Sequence, residues 1–156
     1  MIRVMRTWMI LVVCLLLVTL TAASGSLFMP GDWYAQLQKP TFTPPNLAFP
    51  IAWTLLYLCM AVAGWRAWLR RGFDGAMVLW LVQLALNALW SYVVFGRHLL
   101  GAGAIEIGLL WLAILATMIA FFRRDRLAGW LMTPYLAWVS FALVLNVALW
   151  QLNPSV

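Results

Sequence analysis

The chain has 156 residues, a length that accommodates one domain. Its residues are 66% hydrophobic and only 9% charged, and its mean hydropathy is +0.96; these values exclude an ordinary soluble domain. The formal net charge of +6 comes from basic residues in short clusters between apolar runs. This distribution is typical of membrane proteins rather than of nucleic-acid-binding proteins, so we expect a lipid bilayer and no nucleic acid as partner.

Five apolar runs divide the chain. A helix crosses the hydrocarbon core with roughly 20 apolar residues, and runs near that length occupy 7–29, 47–69, 76–96, 99–122 and 127–152. They lack the alternation of barrel strands, and a helix satisfies its own backbone in lipid. The sequence therefore predicts an all-α integral membrane protein, one domain over 1–156, built as a five-helix transmembrane bundle.

The first run also has features of a secretory signal peptide. Arg3 and Arg6 precede it, and small residues at 21–25 resemble a cleavage site. Cleavage would leave four helices. We favour a retained helix, because the apolar stretch continues past these residues through 27–29.

Basic residues are distributed unequally between the two sides of a five-span chain. Only Lys39 and Arg97 fall on the side that holds the first loop. The opposite side holds Arg3, Arg6, Arg66, Arg70, Arg71, Arg123, Arg124 and Arg126. For a bacterial inner membrane this asymmetry predicts a cytoplasmic N-terminus and an external C-terminus.

One long connection, 30–46, joins the first two runs. A loop of this length in a small protein is either disordered or a lid. Its aromatic residues and prolines favour an ordered lid. We predict a short helix over 33–38 within it, with Asp32 as N-cap and an end before Pro40.

Polar and aromatic residues recur at helical spacing inside three of the runs. Gln83, Asn87 and Trp90 stand at i, i+4 and i+7 on the third run. Buried amides of this kind either bond neighbouring helices together or line a ligand pocket, and composition does not choose between these roles.

The second and fifth runs carry similar residues. Trp53 and Tyr57 form an i, i+4 pair on the second run. One side of the fifth run presents Tyr135, Trp138, Ala142, Leu145 and Asn146. Together the three helices predict an apolar pocket with a few polar groups, suited to a large, flat, hydrophobic ligand. The alternative is that the rings only pack the bundle.

Four motifs in order carry a family resemblance. They are Trp33-Tyr34-x-x-Leu37-x-Lys39-Pro40-x-x-x-Pro44-Pro45, Trp53-x-x-x-Tyr57, Gln83-Leu84-x-Leu86-Asn87-x-x-Trp90-Ser91 and Pro134-Tyr135-x-x-Trp138-x-x-Phe141-Ala142-x-x-Leu145-Asn146. The sequence thereby resembles the tryptophan-rich sensory protein family, also called the translocator protein or peripheral-type benzodiazepine receptor family. The resemblance extends from the first loop to the last helix.

This resemblance implies a usually dimeric five-helix bundle with a pocket under the first loop. It implies a porphyrin ligand, such as protoporphyrin IX or a haem-like tetrapyrrole, that is sensed, scavenged or transported, with no cofactor required. Matching motif positions place in the pocket Trp33, Tyr34, Trp53, Tyr57, Asn87, Trp90, Tyr135, Trp138, Ala142 and Leu145.

The sequence departs from the sterol-binding members of that family. Their cholesterol pattern requires a tyrosine and a basic residue late in the fifth helix, where this chain has Val147 and Gln151. We therefore predict porphyrin binding rather than cholesterol binding.

Glu106 is the one acid well inside a span, and it suggests an alternative function. An intramembrane carboxyl is a candidate for proton coupling, as in a small exporter of apolar cations. The structural alternative is a protonated or interfacial side chain paired with Arg97. Nearby, Ala104 and Gly108 form a small-xxx-small pair that permits close helix packing, within the bundle or across a dimer.

The sequence lacks the residue combinations that conventional catalysis requires. Cys14, Cys59 and His98 have no metal-ligand spacing, so no metal is expected, and we find no nucleophile with a base or carboxylate pair. The family resemblance implies one exception, photo-oxidative breakdown of bound porphyrin, for which Trp53 and Trp138 are the candidate residues.

Overall fold

The computed structural model describes residues 2–155, with side chains from residue 4 onward. All of these residues are helical or loop. The helices are α1 (Ile2–Leu27), α2 (Gly31–Gln36), α3 (Ala48–Arg71), α4 (Gly75–Ser91), α5 (Leu100–Phe122) and α6 (Arg126–Leu152), and a π-helical turn, Tyr92–Gly96, extends α4. Five of the helices are long and apolar enough to cross a membrane, which confirms the predicted all-α membrane architecture.

The predicted spans differ from the observed helices mainly at the first helix. It begins at Ile2 rather than at residue 7 and ends at Leu27 rather than at 29. The reason is that hydropathy marks where a chain leaves the hydrocarbon core, whereas a helix continues as long as its backbone hydrogen bonds are made. Basic side chains at such an end extend toward the headgroups.

The five long helices form a closed ring. Helix α1 packs on α3 and α4, α3 packs on α6, α6 on α5, and α5 on α4. The order around the ring is therefore α1, α3, α6, α5 and α4. Helix α6, the last in the chain, closes the ring by packing between α3 and α5. Because the ring is closed, side chains from all five helices can face one interior space.

Helices α3 and α4 approach most closely where small residues face a tryptophan. The Trp80 side chain is fully buried, and its indole Nε1 donates to the carbonyl of Met60 at 3.2 Å. A Cβ added at Gly64 would lie 2.6 Å from the Trp80 ring. Ala61 and Ala63 are fully buried in the same core cluster. The missing side chain at Gly64 makes room for the indole, which fills this part of the bundle.

In the same half of the bundle, a buried carboxylate connects the end of α3 to the start of α6. Asp125 accepts two hydrogen bonds from Arg66, at 3.1 and 2.8 Å, and one from Arg70 at 3.0 Å. It also caps α6 by accepting from the backbone N–H of Ala128 at 3.0 Å. The hydrogen bonds from Arg66 hold the pKa of Asp125 well below its usual range. We call this half of the bundle, with Trp80 and Asp125, the filled end.

The opposite side of the bundle is covered by the first loop, residues 30–46. Trp33 stacks on His98 of the α4 to α5 connection, with ring centroids 4.2 Å apart and planes at 8°. Asn153, after α6, bonds both backbone groups of Gln38, at 3.0 and 2.9 Å. These contacts hold the loop as an ordered lid, so we call this half the lid end.

The predicted N-cap of the short lid helix is wrong. Helix α2 begins at Gly31 after Pro30, and no side chain caps it. Asp32 lies within its first turn, where a carboxylate still interacts favourably with the helix dipole. The helix starts earlier than predicted because Pro30 already has helical φ and ψ angles, −54° and −43°, and its carbonyl accepts from Tyr34.

The predicted pairing of Glu106 with Arg97 is also wrong. Glu106 is 7% exposed, and neither carboxyl oxygen has a hydrogen-bond partner among the described residues. Arg97 is exposed at the end of the π-helical turn, whereas Glu106 is buried in the bundle.

The pair of small residues Ala104 and Gly108 makes no close contact at Gly108 within the described residues. A Cβ added at Gly108 would meet nothing within 4 Å.

Candidate functional site

An interior cavity of about 880 Å³ lies at the lid end. The lid and all five long helices contribute to its wall. Its volume falls within the range of roughly 300–1,000 Å³ that is usual for small-molecule sites, and its wall is mainly apolar with a few polar groups. It is therefore the best candidate for a binding site in the part of the chain that the structure describes.

Aromatic rings form two of the cavity's walls. On α3, Trp53 and Tyr57 are stacked, with centroids 5.4 Å apart and planes at 29°. On α6, Trp138 packs edge-on against Phe49 at 5.9 Å. The i, i+4 spacing on α3 brings the first pair onto one face. The cavity thus presents broad aromatic surfaces to a ligand.

Polar groups of the wall are mostly engaged with one another. Asn87 accepts from the Tyr57 hydroxyl at 3.0 Å and donates to the Tyr135 hydroxyl at 2.8 Å. Asn146 accepts from the Trp90 indole at 3.1 Å and donates to the carbonyl of Leu100 at 2.9 Å. Because these bonds fix the rings, the site is largely preformed before a ligand enters.

The structure brings most of the ten predicted pocket residues to this cavity. Its wall includes Tyr34, Trp53, Tyr57, Asn87, Trp90, Trp138, Ala142 and Leu145. The other two predicted residues lie one layer behind the wall. Trp33 stacks on His98, and Tyr135 is fully buried behind Asn87. Neither lines the cavity in this conformation, although Tyr135 bonds the wall residue Asn87.

The polar face of α4 serves two purposes. Gln83 and Trp80 are buried against α3, where both approach Met60, and they bond the helices together. Asn87 and Trp90, one and two turns further on, line the cavity. The structure therefore shows contacts between helices at Gln83 and a cavity wall at Asn87 and Trp90, and the use of that wall by a ligand stays a prediction.

Several wall residues were not among the predicted site residues. Helix α1 contributes Ala22 and Gly25, from the small-residue segment that resembled a cleavage site, and Ser26, which follows it. Their small size was the only feature in the sequence that could have indicated them. Small residues at a cavity wall produce no distinctive spacing of polar or aromatic side chains. Lys39 also lines the cavity; its basic charge in an aromatic loop was a signal that the prediction left unused.

The fold and the cavity define a small five-helix membrane protein with a candidate binding site beneath an ordered loop. The family model described as TspO/MBR family matches residues 7–151. The chain belongs to this family.

Relatives from bacteria and mammals match most of the chain. Protein CrtK of Rhodobacter capsulatus is 41% identical over 137 residues, covering 85% of this chain and 86% of that protein. The tryptophan-rich sensory protein of Cereibacter sphaeroides is 40% identical, covering 85% and 84%. The human translocator protein is 36% identical, covering 83% and 81%. The resemblance inferred from the four motifs is thus confirmed.

Proposed function

We propose that this protein binds porphyrin or a similar tetrapyrrole in the cavity under the lid, as a sensor, scavenger or transporter of that ligand. The observation that carries the proposal is the pairing of broad aromatic walls with a cavity of about 880 Å³. Flat π-systems stack on indole and phenol rings. The names of two relatives, a tryptophan-rich sensory protein and a translocator protein, agree with sensing or transport of a ligand.

Titration with protoporphyrin IX in a nonionic detergent tests this function. We expect saturable quenching of tryptophan fluorescence with a shift of the porphyrin absorption band. Trp138→Phe should weaken binding by about 3- to 10-fold, because it replaces the indole with a smaller ring and loses roughly 1 kcal/mol of stacking. The matched control is Trp130→Phe on the same helix, since Trp130 is 59% exposed on the outer surface. Equal affinity in all three proteins, or no saturable binding, contradicts the proposal.

A second candidate function is proton-coupled export of apolar cations, and the observation that favours it is the buried carboxyl of Glu106. Its buried carboxyl lacks a partner among the described residues, which is the state expected of a group that exchanges a proton within a membrane. Glu106 does not line the cavity. Any coupling must therefore pass through neighbouring side chains.

Transport by reconstituted protein under a pH gradient tests this alternative. Glu106→Gln should abolish pH-driven efflux of an apolar cation while protoporphyrin IX binding is unchanged. Efflux that is equal in wild type and variant excludes the export function.

A further inference from the structure

The filled end carries an excess of positive charge. Its two acids are already engaged: Asp74 pairs with Arg124, and Asp125 pairs with Arg66 and Arg70. Four further arginines at this end have no ion-pair partner among the described residues, namely Arg6, Arg71, Arg123 and Arg126. They stand where the membrane spans begin and end, so an external anion can bind there without displacing an acid of the chain.

One of these arginines borders a recess between α1 and α3. The recess has a volume of about 200 Å³, and its wall consists of Arg6, Thr7, Ile10, Trp68, Leu69 and Gly72. This volume is below the roughly 300–1,000 Å³ of usual small-molecule sites, so the recess suits a compact head group rather than a whole ligand. Because the span of α1 begins at Val4 and that of α3 ends at Arg71, the recess lies at the level of the lipid head groups.

Both walls of the recess are fixed by contacts within the chain. The indole Nε1 of Trp65 donates to the carbonyl of Thr7 at 3.1 Å, which joins α3 to α1 beside the recess. The Trp68 ring packs edge-on against Phe73, with centroids 5.3 Å apart. The N–H of Gly72 donates to the carbonyl of Trp68 at 2.8 Å. The recess is therefore formed before a head group enters it, which lowers the entropic cost of binding.

Positive charge is also crowded behind the recess. The Arg124 guanidinium lies 3.5 Å from the carbonyl oxygen of Gly72, a residue of the recess wall. Burial, together with the nearby charge of Arg71, lowers the pKa of Arg124. Like charges at this separation repel one another, and an anion bound beside them reduces the repulsion.

Apolar side chains lead from the recess toward the middle of the membrane. Met9 and Val13 follow Arg6 by three and seven residues, which places them on the same face of α1, and both are exposed. Leu69 of the recess wall is exposed on α3. A lipid whose phosphate reaches Arg6 can lay its acyl chains on these side chains, whereas a free phosphate would leave them uncovered. The surroundings of the recess therefore favour a lipid.

From this arrangement we propose that the recess binds the head group of an anionic phospholipid, with the phosphate against the Arg6 guanidinium and the acyl chains along α1 and α3. A guanidinium can form two parallel hydrogen bonds with a phosphate. An anionic lipid, unlike a zwitterionic one, brings no cation of its own to this positively charged end. The inference concerns the end of the bundle opposite to the cavity, and it does not depend on the proposed function.

Native mass spectrometry of wild type mixed with one variant in a nonionic detergent tests the inference. Proteins that differ by one substitution give separate peaks, so the ratio of lipid-bound to lipid-free protein is read for both in one spectrum. Differences in micelle partitioning then cancel. The added lipids are dioleoylphosphatidylglycerol, which is anionic, and dioleoylphosphatidylcholine, which is zwitterionic.

We expect wild type to bind phosphatidylglycerol about fivefold more tightly than Arg6→Gln does, the size of one basic contact with an anionic lipid. Phosphatidylcholine should bind wild type more weakly and depend less on Arg6. The control is Arg123→Gln, which removes an exposed, unpaired arginine of the same end that does not line the recess, and it should stay within about twofold of wild type. Because Arg6 and Arg123 are both exposed, the thermal midpoints without lipid should match that of wild type.

Three results overturn the inference. One is equal binding of phosphatidylglycerol by wild type and Arg6→Gln. Another is an equal loss in Arg6→Gln and Arg123→Gln, since the effect would then follow net charge rather than the recess. The third is displacement of phosphatidylglycerol from wild type by inorganic phosphate, which would make the recess a site for a soluble anion.

Discussion

The two halves of the bundle use the same residue types for opposite purposes. At the filled end, Gly64 of α3 lies against the ring of Trp80, which is fully buried. At the lid end, Gly25 of α1 faces the cavity, and a Cβ there would meet only Ser91 Oγ at 3.7 Å. Gly64 opposite a ring lets the filled end close, and Gly25 opposite space keeps the α1 side of the cavity open.

Charged residues differ between the two halves in the same way. At the filled end, Asp125 is surrounded by Arg66 and Arg70, and Arg124 pairs with Asp74. At the lid end, Lys39 has only carbonyls and a ring as partners among the described residues. Removing one partner of a buried ion pair is strongly destabilising, because the other charge is left uncompensated. We therefore expect stability to depend mainly on the filled end and ligand binding to depend mainly on the lid end.

The largest effect is expected when the filled end is overpacked. Gly64→Leu forces a side chain against the Trp80 ring, 2.6 Å from the new Cβ, and should destabilise the protein by about 3 kcal/mol. The thermal midpoint in detergent, followed by size-exclusion chromatography, should fall by roughly 10 °C. Gly108→Leu is the control, since nothing lies within 4 Å of that position. Equal losses in both variants would contradict tight packing at Gly64.

A smaller loss is expected when the buried carboxylate loses its charge. Asp125→Asn weakens the bonds to Arg66 and Arg70 and the cap on α6, and should cost about 2 kcal/mol. Because the folded pKa is depressed, Asp125 contributes its full stabilisation above the ordinary aspartate pKa of about 3.9 and loses it progressively below that value.

Thermal midpoints measured at descending pH test this contribution. Below about pH 4 the difference between wild type and Asp125→Asn should shrink, because wild type then protonates the same group. Asp32→Asn, a substitution of an exposed acid in the lid, serves as the control and should leave stability near that of wild type. A difference that stays constant down to the lowest pH would count against the ionic origin of the effect.

Filling the cavity should separate binding from stability. Gly25→Leu occupies space on the α1 wall, so we expect protoporphyrin IX to bind at least about tenfold more weakly, a change of roughly 1.4 kcal/mol. The thermal midpoint should stay the same or rise slightly, because leucine favours a helix over glycine by about 0.8 kcal/mol. Titration and melting of the same preparation check both parts. A loss of stability like that of Gly64→Leu would remove the distinction between the two halves.

The smallest effect concerns the attachment of the lid. Asn153→Ala deletes the two bonds to Gln38, which are exposed and worth about 0.5–1 kcal/mol together. Stopped-flow fluorescence should show protoporphyrin IX entering and leaving about two- to fivefold faster, with little change in affinity, since the lid opens more readily. Gln151→Ala, an exposed change near the same helix end, provides the comparison. Unchanged rates would show that the lid contacts do not limit entry.

The sequence by itself determined the class of the fold and eight of the residues in the cavity wall. Hydropathy was sufficient for the five spans, because a chain in lipid must satisfy its backbone within each segment. Helical spacing brought Trp53 and Tyr57 onto one face, and the ordered motifs indicated the family. These properties depend on residues near one another in sequence, where local geometry is known in advance.

Only the tertiary structure decided what each side chain faces. The pattern of α4 could not separate Gln83, which bonds α3, from Asn87, which lines the cavity. That difference arises from the position of α3 in the ring and from the fit of Trp80 against Gly64. The contribution of α1 and the position of Lys39 in the wall were likewise hidden, because a cavity is defined by groups distant in sequence that leave a space between them.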